Sequence, residues 1–385
     1  MEEITVKELF QITKGKKVEQ TDSSSLNKVR FIQIDDLRNN NNIKYCHNDS
    51  KYVYASKYDL IIAWDGANAG TIGHNLEGAI GSTLAVLKRK RKDFNITYVA
   101  KFLQSKSRFL RDSCTGATIP HISRAVLEGI KIPLPSIEIQ NYIVSLLNKV
   151  QYLIDKRIEQ REALSSLPQS VFLDMFGDPL SNNYGFQTDY LKNICKDIKG
   201  GGTPSKSKPE FYNGDIPWVT PKDMKTLLIK DSIDHINEEA IEKSSTKLIP
   251  ANSLLMVIRS GILKRYLPVA INKREVTLNQ DMKAFILDSE IITPEYLLSF
   301  FQIYQRKLLS QVRSVTADNL DFNQIKDIIV PIPPIEKQIE FSKIFNEVNS
   351  LINRIEKQLS GQEKLFNSLL HRSLSGKLFN NTQLM

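Results

Sequence analysis

Cysteine is nearly absent from this chain: Cys46, Cys114 and Cys195 are the three in 385 residues, far apart and without a Cys-x-x-Cys pair. That spacing argues against a disulfide framework and a structural zinc site, and leaves buried or idle thiols as the simplest reading. Histidine is equally dispersed. His47, His74, His121, His235 and His371 form no His-x-x-x-His or His-Glu-x-x-His pair, so no metal ligand set is expected. No run of about 18 apolar residues occurs, and Met1-Glu2-Glu3-Ile4 has neither the basic nor the apolar region of a signal peptide. The expectation is a cytoplasmic chain with no membrane partner. Also missing are G-x-x-x-x-G-K-[ST], G-x-G-x-x-G and the Asn/Asp-Pro-Pro-Tyr/Phe motif of a methyltransferase. Neither a nucleotide site nor a cofactor in this chain is therefore expected.

What is present begins with size. A chain of 385 residues, 41% hydrophobic and 25% charged, folds and exceeds one ordinary core, so more than one domain is the default. The formal net charge of +9 biases it toward polyanions, because each Lys or Arg placed on a phosphate releases condensed counterions.

The chain is also written twice. Moved by 198 positions, Ile132-Pro133-Leu134-Pro135-Ser136-Ile137-Glu138-Ile139-Gln140 falls on Val330-Pro331-Ile332-Pro333-Pro334-Ile335-Glu336-Lys337-Gln338, and Tyr98, Phe102, Leu110 and Thr118 fall on Tyr296, Phe300, Leu308 and Thr316. Upstream the match loosens, with Lys14-Gly15 set against Lys199-Gly200. Each copy reads as a globule followed by a helix. The expected fold class is α+β, with two pseudo-repeated globular domains at 1–133 and 179–332 and helical regions at 134–178 and 333–385.

Two apolar seams carry the helices: Ile143, Leu146, Val150 and Leu153 in the first, and Phe341, Ile344, Val348, Leu351 and Ile355 in the second. Pro135 and Pro334 mark starts, with Ser136 able to cap the first, and Pro168 is expected to end or kink that helix near Leu167. A helix over 137–166 would be roughly 45 Å long, and the second runs to near Leu374. Each helix could pack on its own globule, but two similar seams favour an antiparallel coiled coil with each other.

The globules read as strand-rich. Arg30 to Ile34 and Asp59 to Trp64 look like strands and Ile96 to Leu110 like an amphipathic helix, mirrored by Ile216 to Thr220, Ser253 to Ile258 and Thr293 to Leu309. Three loops carry the polar residues in each copy. The first is Lys14, Lys16 and Lys17 in copy one, answered by Lys199, Gly201, Gly202, Thr203 and Lys206, where glycine admits a phosphate and lysine supplies charge. A plain surface turn is the competing reading. The second loop offers Asn68, able to pair with an adenine edge, and Arg259, Ser260, Lys264 and Arg265, whose arginines could fork onto guanine. The third offers Thr118, His121 and Arg124 against Thr316 and Asn319, anchored by Ile122 and Leu320. The charge run Lys88 to Lys92 reads as a DNA contact or merely a solvated turn. Asp281-Met282-Lys283 looks like the tail of a nuclease site, but no Pro-Asp lies suitably upstream and Thr83 stands at its place in copy one.

Gly200-Gly201-Gly202-Thr203-Pro204, Gly214-Asp215-Ile216-Pro217-Trp218-Val219 and the Pro-x-Pro-x-x-x-x-Gln before each helix together resemble the specificity (S) subunit of type I restriction-modification enzymes, over nearly the whole chain. Copy one departs from the pattern, lacking the Gly-Gly-Thr-Pro and Pro-Trp elements. The resemblance implies a non-catalytic subunit that reads an asymmetric, bipartite site on double-stranded DNA. It also implies two modification subunits that hold S-adenosylmethionine, and motor-nuclease restriction subunits in the full complex. The competing expectation is a standalone coiled-coil DNA-binding or scaffold protein.

Overall fold

The computed structural model describes residues 2–39, 41–116, 118–310, 313–314 and 318–374. The chain divides into two compact units, one of residues 1–158 and 358–385, the other of residues 159–357.

In the first unit an antiparallel four-stranded sheet is ordered Phe10–Lys14, Leu84–Arg89, Leu60–Ala63, Ile72–His74. The run Leu60-Ile61-Ile62-Ala63 is apolar throughout because both faces are covered. Leu60 and Ile62 enter one core with Phe10, Leu87 and Tyr98, while Ile61 and Ala63 enter a second with Ile32, Leu84 and Val86. A five-stranded mixed sheet containing Lys28–Ile32 adjoins it. The second unit repeats the plan: Cys195–Gly200, Met282–Leu287, Leu254–Val257 and Val269–Asn272 are neighbours in one sheet, and Leu254 and Met256 face a different core from Leu255 and Val257.

The duplicated proline motif explains itself in both units. Pro133 lies in the strand Lys131–Leu134, paired with Glu2–Thr5, and Pro331 in Ile329–Ile332, paired with Gln187–Tyr190; each is a two-stranded ribbon, where a missing N–H is tolerated. Tyr98 donates its hydroxyl to the Pro133 carbonyl and Tyr296 to that of Pro331, both at 2.9 Å. Burial pushes the Tyr98 phenol up to about 12 and that of Tyr296 up as well, so both remain donors at neutral pH. The buried Gln140 accepts from the Asn95 N–H at 2.9 Å and donates to the Pro135 carbonyl at 2.8 Å. Gln338 does the same with Thr293 and Pro333, again at 2.9 and 2.8 Å. One glutamine thus ties the start of a long helix to the start of the shorter helix beside it, Ile96–Ser105 or Pro294–Leu309.

The long helices are Ile137–Phe176 and Ile335–Leu374, 40 residues each and about 60 Å in length. The first passes through Pro168 and does not end near Leu167. Phe172 and Phe176 lie beyond that proline, buried against Tyr296 and Phe341. Burying two such rings is worth about 1.5–3 kcal/mol each, which offsets the roughly 3 kcal/mol of an interior proline. The helices run antiparallel. In the first unit Ile143 and Leu147 of the first helix share a core with Leu370 and Leu374 of the second, and in the second unit Phe172 and Phe176 share one with Phe341 and Phe345. The buried stripe is Ile143, Leu147, Ile154 on one helix and Phe341, Phe345, Val348, Ile355 on the other; the seam positions Leu153 and Leu351 are exposed. Leu147 and Phe345, four residues on from Ile143 and Phe341, take the buried places expected for Leu146 and Ile344, which are only half-buried.

Two further expectations shift. The span 96–110 is two helices, Ile96–Ser105 and Ser107–Asp112, broken at Lys106. Of the charge run, Lys88 and Arg89 end a strand, Arg89 donates to the Phe94 carbonyl at 2.9 Å, and Lys90 donates to the Lys7 carbonyl at 2.6 Å.

Candidate nucleic-acid interface

In the first unit the strand ends and the third loop meet through backbone hydrogen bonds. Gly15 N–H donates to the Leu84 carbonyl at 2.8 Å, Trp64 N–H to Thr83 at 2.8 Å, Ile122 N–H to Trp64 at 3.0 Å, and Gly66 N–H to Pro120 at 2.9 Å. Asp65 stands at this junction. Its Oδ2 meets Lys14 Nζ at 2.8 Å and its Oδ1 meets His121 Nδ1 at 2.6 Å. Burial pushes the Asp65 carboxyl upward, but the hydrogen bonds from Lys14 and His121 outweigh it and hold it below the usual carboxylate range.

The second unit rebuilds the same frame. Ile258 and Arg259 both donate backbone N–H groups to the Asp281 carbonyl, Leu320 donates to Ile258 at 2.9 Å, and Gly201 to Met282 at 3.3 Å. Arg259 bridges to Asn319 as Asp65 does to His121. Position by position, Asp65 answers Arg259, Thr83 answers Asp281 and His121 answers Asn319. The sign at the Asp65/Arg259 position is therefore inverted, although each junction holds an acid–base pair. Here Arg259 Nε and Nη2 both lie 2.6 Å from Asp281 Oδ1.

The pairing of Lys14-Gly15 with Lys199-Gly200 is corrected by one residue. Lys14 lies opposite Ala85 and Gly200 opposite Lys283, the residue 198 positions on from Ala85, so Gly15 answers Gly201. A bulge between Cys195 and Asp197 supplies the extra residue.

The other candidates divide by what holds them. Lys16, Lys17, Thr118, Lys206, Lys264 and Arg265 are exposed on loops or short turns. Asn68 Oδ1 accepts from Arg38 at 2.6 Å. Arg124 donates to Glu128 at 2.8 Å and to the Ile12 carbonyl at 3.3 Å, which ties the third loop to the sheet. Lys199 Nζ reaches the Leu248 carbonyl at 3.5 Å. Gly202 is buried, its carbonyl accepting from Trp218 Nε1 at 3.0 Å, and Thr203 bonds Gln280. Ser260 Oγ accepts from the Ile262 N–H. Thr316 lies outside the described residues.

Sequence reasoning noted Asp281 only as a nuclease-like tail and missed Asn279, Gln280 and the cleft of about 810 Å³ that this turn lines with Thr203, Lys206, Tyr212, Trp218 and Lys222. The available signal was three consecutive amide or acid side chains immediately after a buried strand.

The chain thus carries two copies of one frame that bear loops of unlike side chains. The family described as "Type I restriction modification DNA specificity domain" matches the chain twice, over residues 1–163 and 184–362. The specificity subunit of type I restriction enzyme EcoR124I/EcoR124II from Escherichia coli is 40% identical over 169 residues, 43% of this chain and 42% of that protein, so the match spans less than half of that relative. The MjaVIII specificity subunit from Methanocaldococcus jannaschii is 22% identical over 98% of this chain and 92% of its own. Among solved structures, the S subunit of a type I system from M. genitalium superimposes with a TM-score of 0.61 at 15% identity, over 97% of this chain and 96% of that one. A chain from a type I R-M complex gives 0.60 at 16% identity, over 98% of each. The chain belongs to the type I restriction-modification DNA specificity family.

Proposed function

We propose that this chain is the DNA-reading, non-catalytic subunit of a type I restriction-modification complex and that its target is asymmetric and bipartite. The observation that carries the reading is the shared frame with a carboxylate in one copy where the other has a guanidinium. Where the first unit places Asp65, clamped by Lys14 and His121, the second places Arg259 on Asp281. The two frames therefore present different groups to the DNA, Lys14 and His121 around a carboxylate in one and a guanidinium in the other, which supports two unlike readers. Regions 1–133 and 179–332 act as the two readers, and 134–178 and 333–385 as the helical regions. The exposed lysines Lys16, Lys17 and Lys206 meet phosphates and fix register. Two modification subunits hold S-adenosylmethionine and methylate adenine, motor-nuclease subunits join them, and the complex works in the cytoplasm.

Methylome sequencing of cells carrying the chain with its modification subunit tests this. The expected product is one motif of two unlike blocks across a gap, absent when this chain is deleted. A palindromic motif, or S-adenosylmethionine binding by the chain alone, would refute the proposal.

A further inference from the structure

We infer that Asn279, Asp281 and Arg259 form a pre-organised guanine reader in the second unit, with Asp281 and Asn279 as positioning residues that set specificity. The inference rests on the DNA-reading function proposed above. Arg259 is half-exposed, and its Nε and Nη2 both lie 2.6 Å from Asp281 Oδ1. Asp281 is itself held: its N–H donates to Asn279 Oδ1 and its Oδ2 accepts from Asn279 Nδ2, each at 3.2 Å. Asn279 is buried, its backbone N–H donating to Val219 at 3.0 Å and its carbonyl accepting from Met282 at 3.3 Å. Anchorage thus passes outward from the core to the guanidinium through side chains with one available geometry.

The orientation this produces is specific. A guanidinium bound along its Nε–Nη2 side keeps its Nη1–Nη2 end for a second partner, and among the described residues no group occupies that end. Two parallel N–H groups at that spacing match O6 and N7 of guanine in the major groove. Phosphate is the weaker match. Asp281 neutralises the arginine locally and would repel a phosphate, whereas a base edge carries no net charge. Because the fork is already fixed, little side-chain freedom is lost on binding. The first unit is the internal contrast: Asp65 at the Arg259 position has no N–H to offer, and Gly81-Ser82-Thr83 replace Asn279-Gln280-Asp281.

The test uses the full chain assembled with its modification subunit, and reads both the methylated motif and binding to duplexes that vary one base pair at a time. Arg259→Ala and Arg259→Lys should each relax one guanine position in one block of the motif by about 5- to 150-fold, the worth of one bidentate pair. The other block should be unchanged. Asp281→Ala should relax the same position while total DNA affinity stays equal or rises, because it removes a negative charge but leaves the arginine; a residue that merely held the fold would lose both. The near-isosteric Asp281→Asn, which keeps an oxygen for Arg259, should fall between wild type and Asp281→Ala. The assignment is overturned if Asp281→Ala and Asp281→Asn leave every base preference intact. It is equally overturned if Arg259→Ala weakens all sequences alike and reduces the salt slope by about 0.9, the mark of a phosphate contact. A wild-type complex with no bipartite motif would overturn the function reading together with this one.

Discussion

Replacing Gln338 by Ala removes a side chain that is fully buried and makes three hydrogen bonds. Its Oε1 accepts from the Thr293 N–H at 2.9 Å, and its Nε2 donates to the Pro333 carbonyl at 2.8 Å and the Ile291 carbonyl at 3.0 Å. Truncation leaves those backbone groups without their partner in the interior. Each such group costs about 1–3 kcal/mol, less for a carbonyl that keeps another contact, so a loss of about 3 kcal/mol is expected. For a unit of this size that is a fall of roughly 6–12 °C in Tm. Gln140 makes two of the three bonds, so Gln140→Ala should cost about 2 kcal/mol. Gln338→Glu sharpens the argument by placing a carboxylate against two carbonyl oxygens. Its folded pKa must then lie above the unfolded value of about 4.3. The variant's stability deficit should therefore grow as pH rises from about 4 to 7, the protonated form alone still donating to a carbonyl. Urea denaturation and calorimetry of the full chain read all three. Gln338→Ala within 0.5 kcal/mol of wild type, or a Glu variant with no pH dependence, would refute the view that this glutamine ties the helix starts together.

Two other outcomes follow from the charges. Burial, with a smaller contribution from Lys101, holds the His74 pKa below its ordinary 6.5; the unfolded chain then binds more protons, and stability is lost as pH falls from about 6.5 toward the depressed value. His74→Gln should flatten urea-measured stability across that window, and an unchanged slope would exclude His74 as its source. In DNA binding by the assembled complex, Lys16→Ala with Lys17→Ala should reduce the log–log salt slope by about 1–2 without altering base preference. Changed base preference would make these lysines readers of sequence.

The legible and illegible parts of the fold have different causes. Tyr98, Pro133 and Gln140 align with Tyr296, Pro331 and Gln338 without a gap because each set makes the same bonds, so the repeat survives in the sequence itself. The front halves align poorly because the second copy carries extra residues, one at the bulge from Cys195 to Asp197 and the rest between Gly201 and Asp281, so the offset changes along them. Pro168 misled because its local cost is outweighed by Phe172 and Phe176, whose partners lie more than a hundred residues away. At the candidate interface the basic residues Lys14, His121 and Arg259 stood out by type and loop position. Their acidic partners were not read as such, Asp281 standing out only as a nuclease-like tail, since Asp65 and Asp281 acquire this meaning through long-range ion pairs.

The register correction itself can be tested with single methyl groups. A Cβ on Gly201 would lie 1.9 Å from the Asn279 carbonyl oxygen, and one on Gly15 would lie 2.2 Å from that of Gly81, the equivalent residue of the first unit. Both obstacles are backbone, so a turn must move. A Cβ on Gly200 would meet Lys283 Nζ at 2.8 Å, with its next neighbours at 3.8 Å, and the end of a lysine can swing away. Gly201→Ala and Gly15→Ala should therefore each cost about 1–3 kcal/mol by overpacking, while Gly200→Ala should stay within about 0.5 kcal/mol. Recognition should divide in the same way. Gly201→Ala displaces the turn bearing Asn279 and Asp281 and should relax one block of the methylated motif, Gly15→Ala should affect the other, and Gly200→Ala neither. If Gly200→Ala proved as damaging as Gly201→Ala, the close approach of loop to turn would not be what these glycines provide. If Gly201→Ala weakened both blocks equally, the turn would not belong to a reader of one half-site.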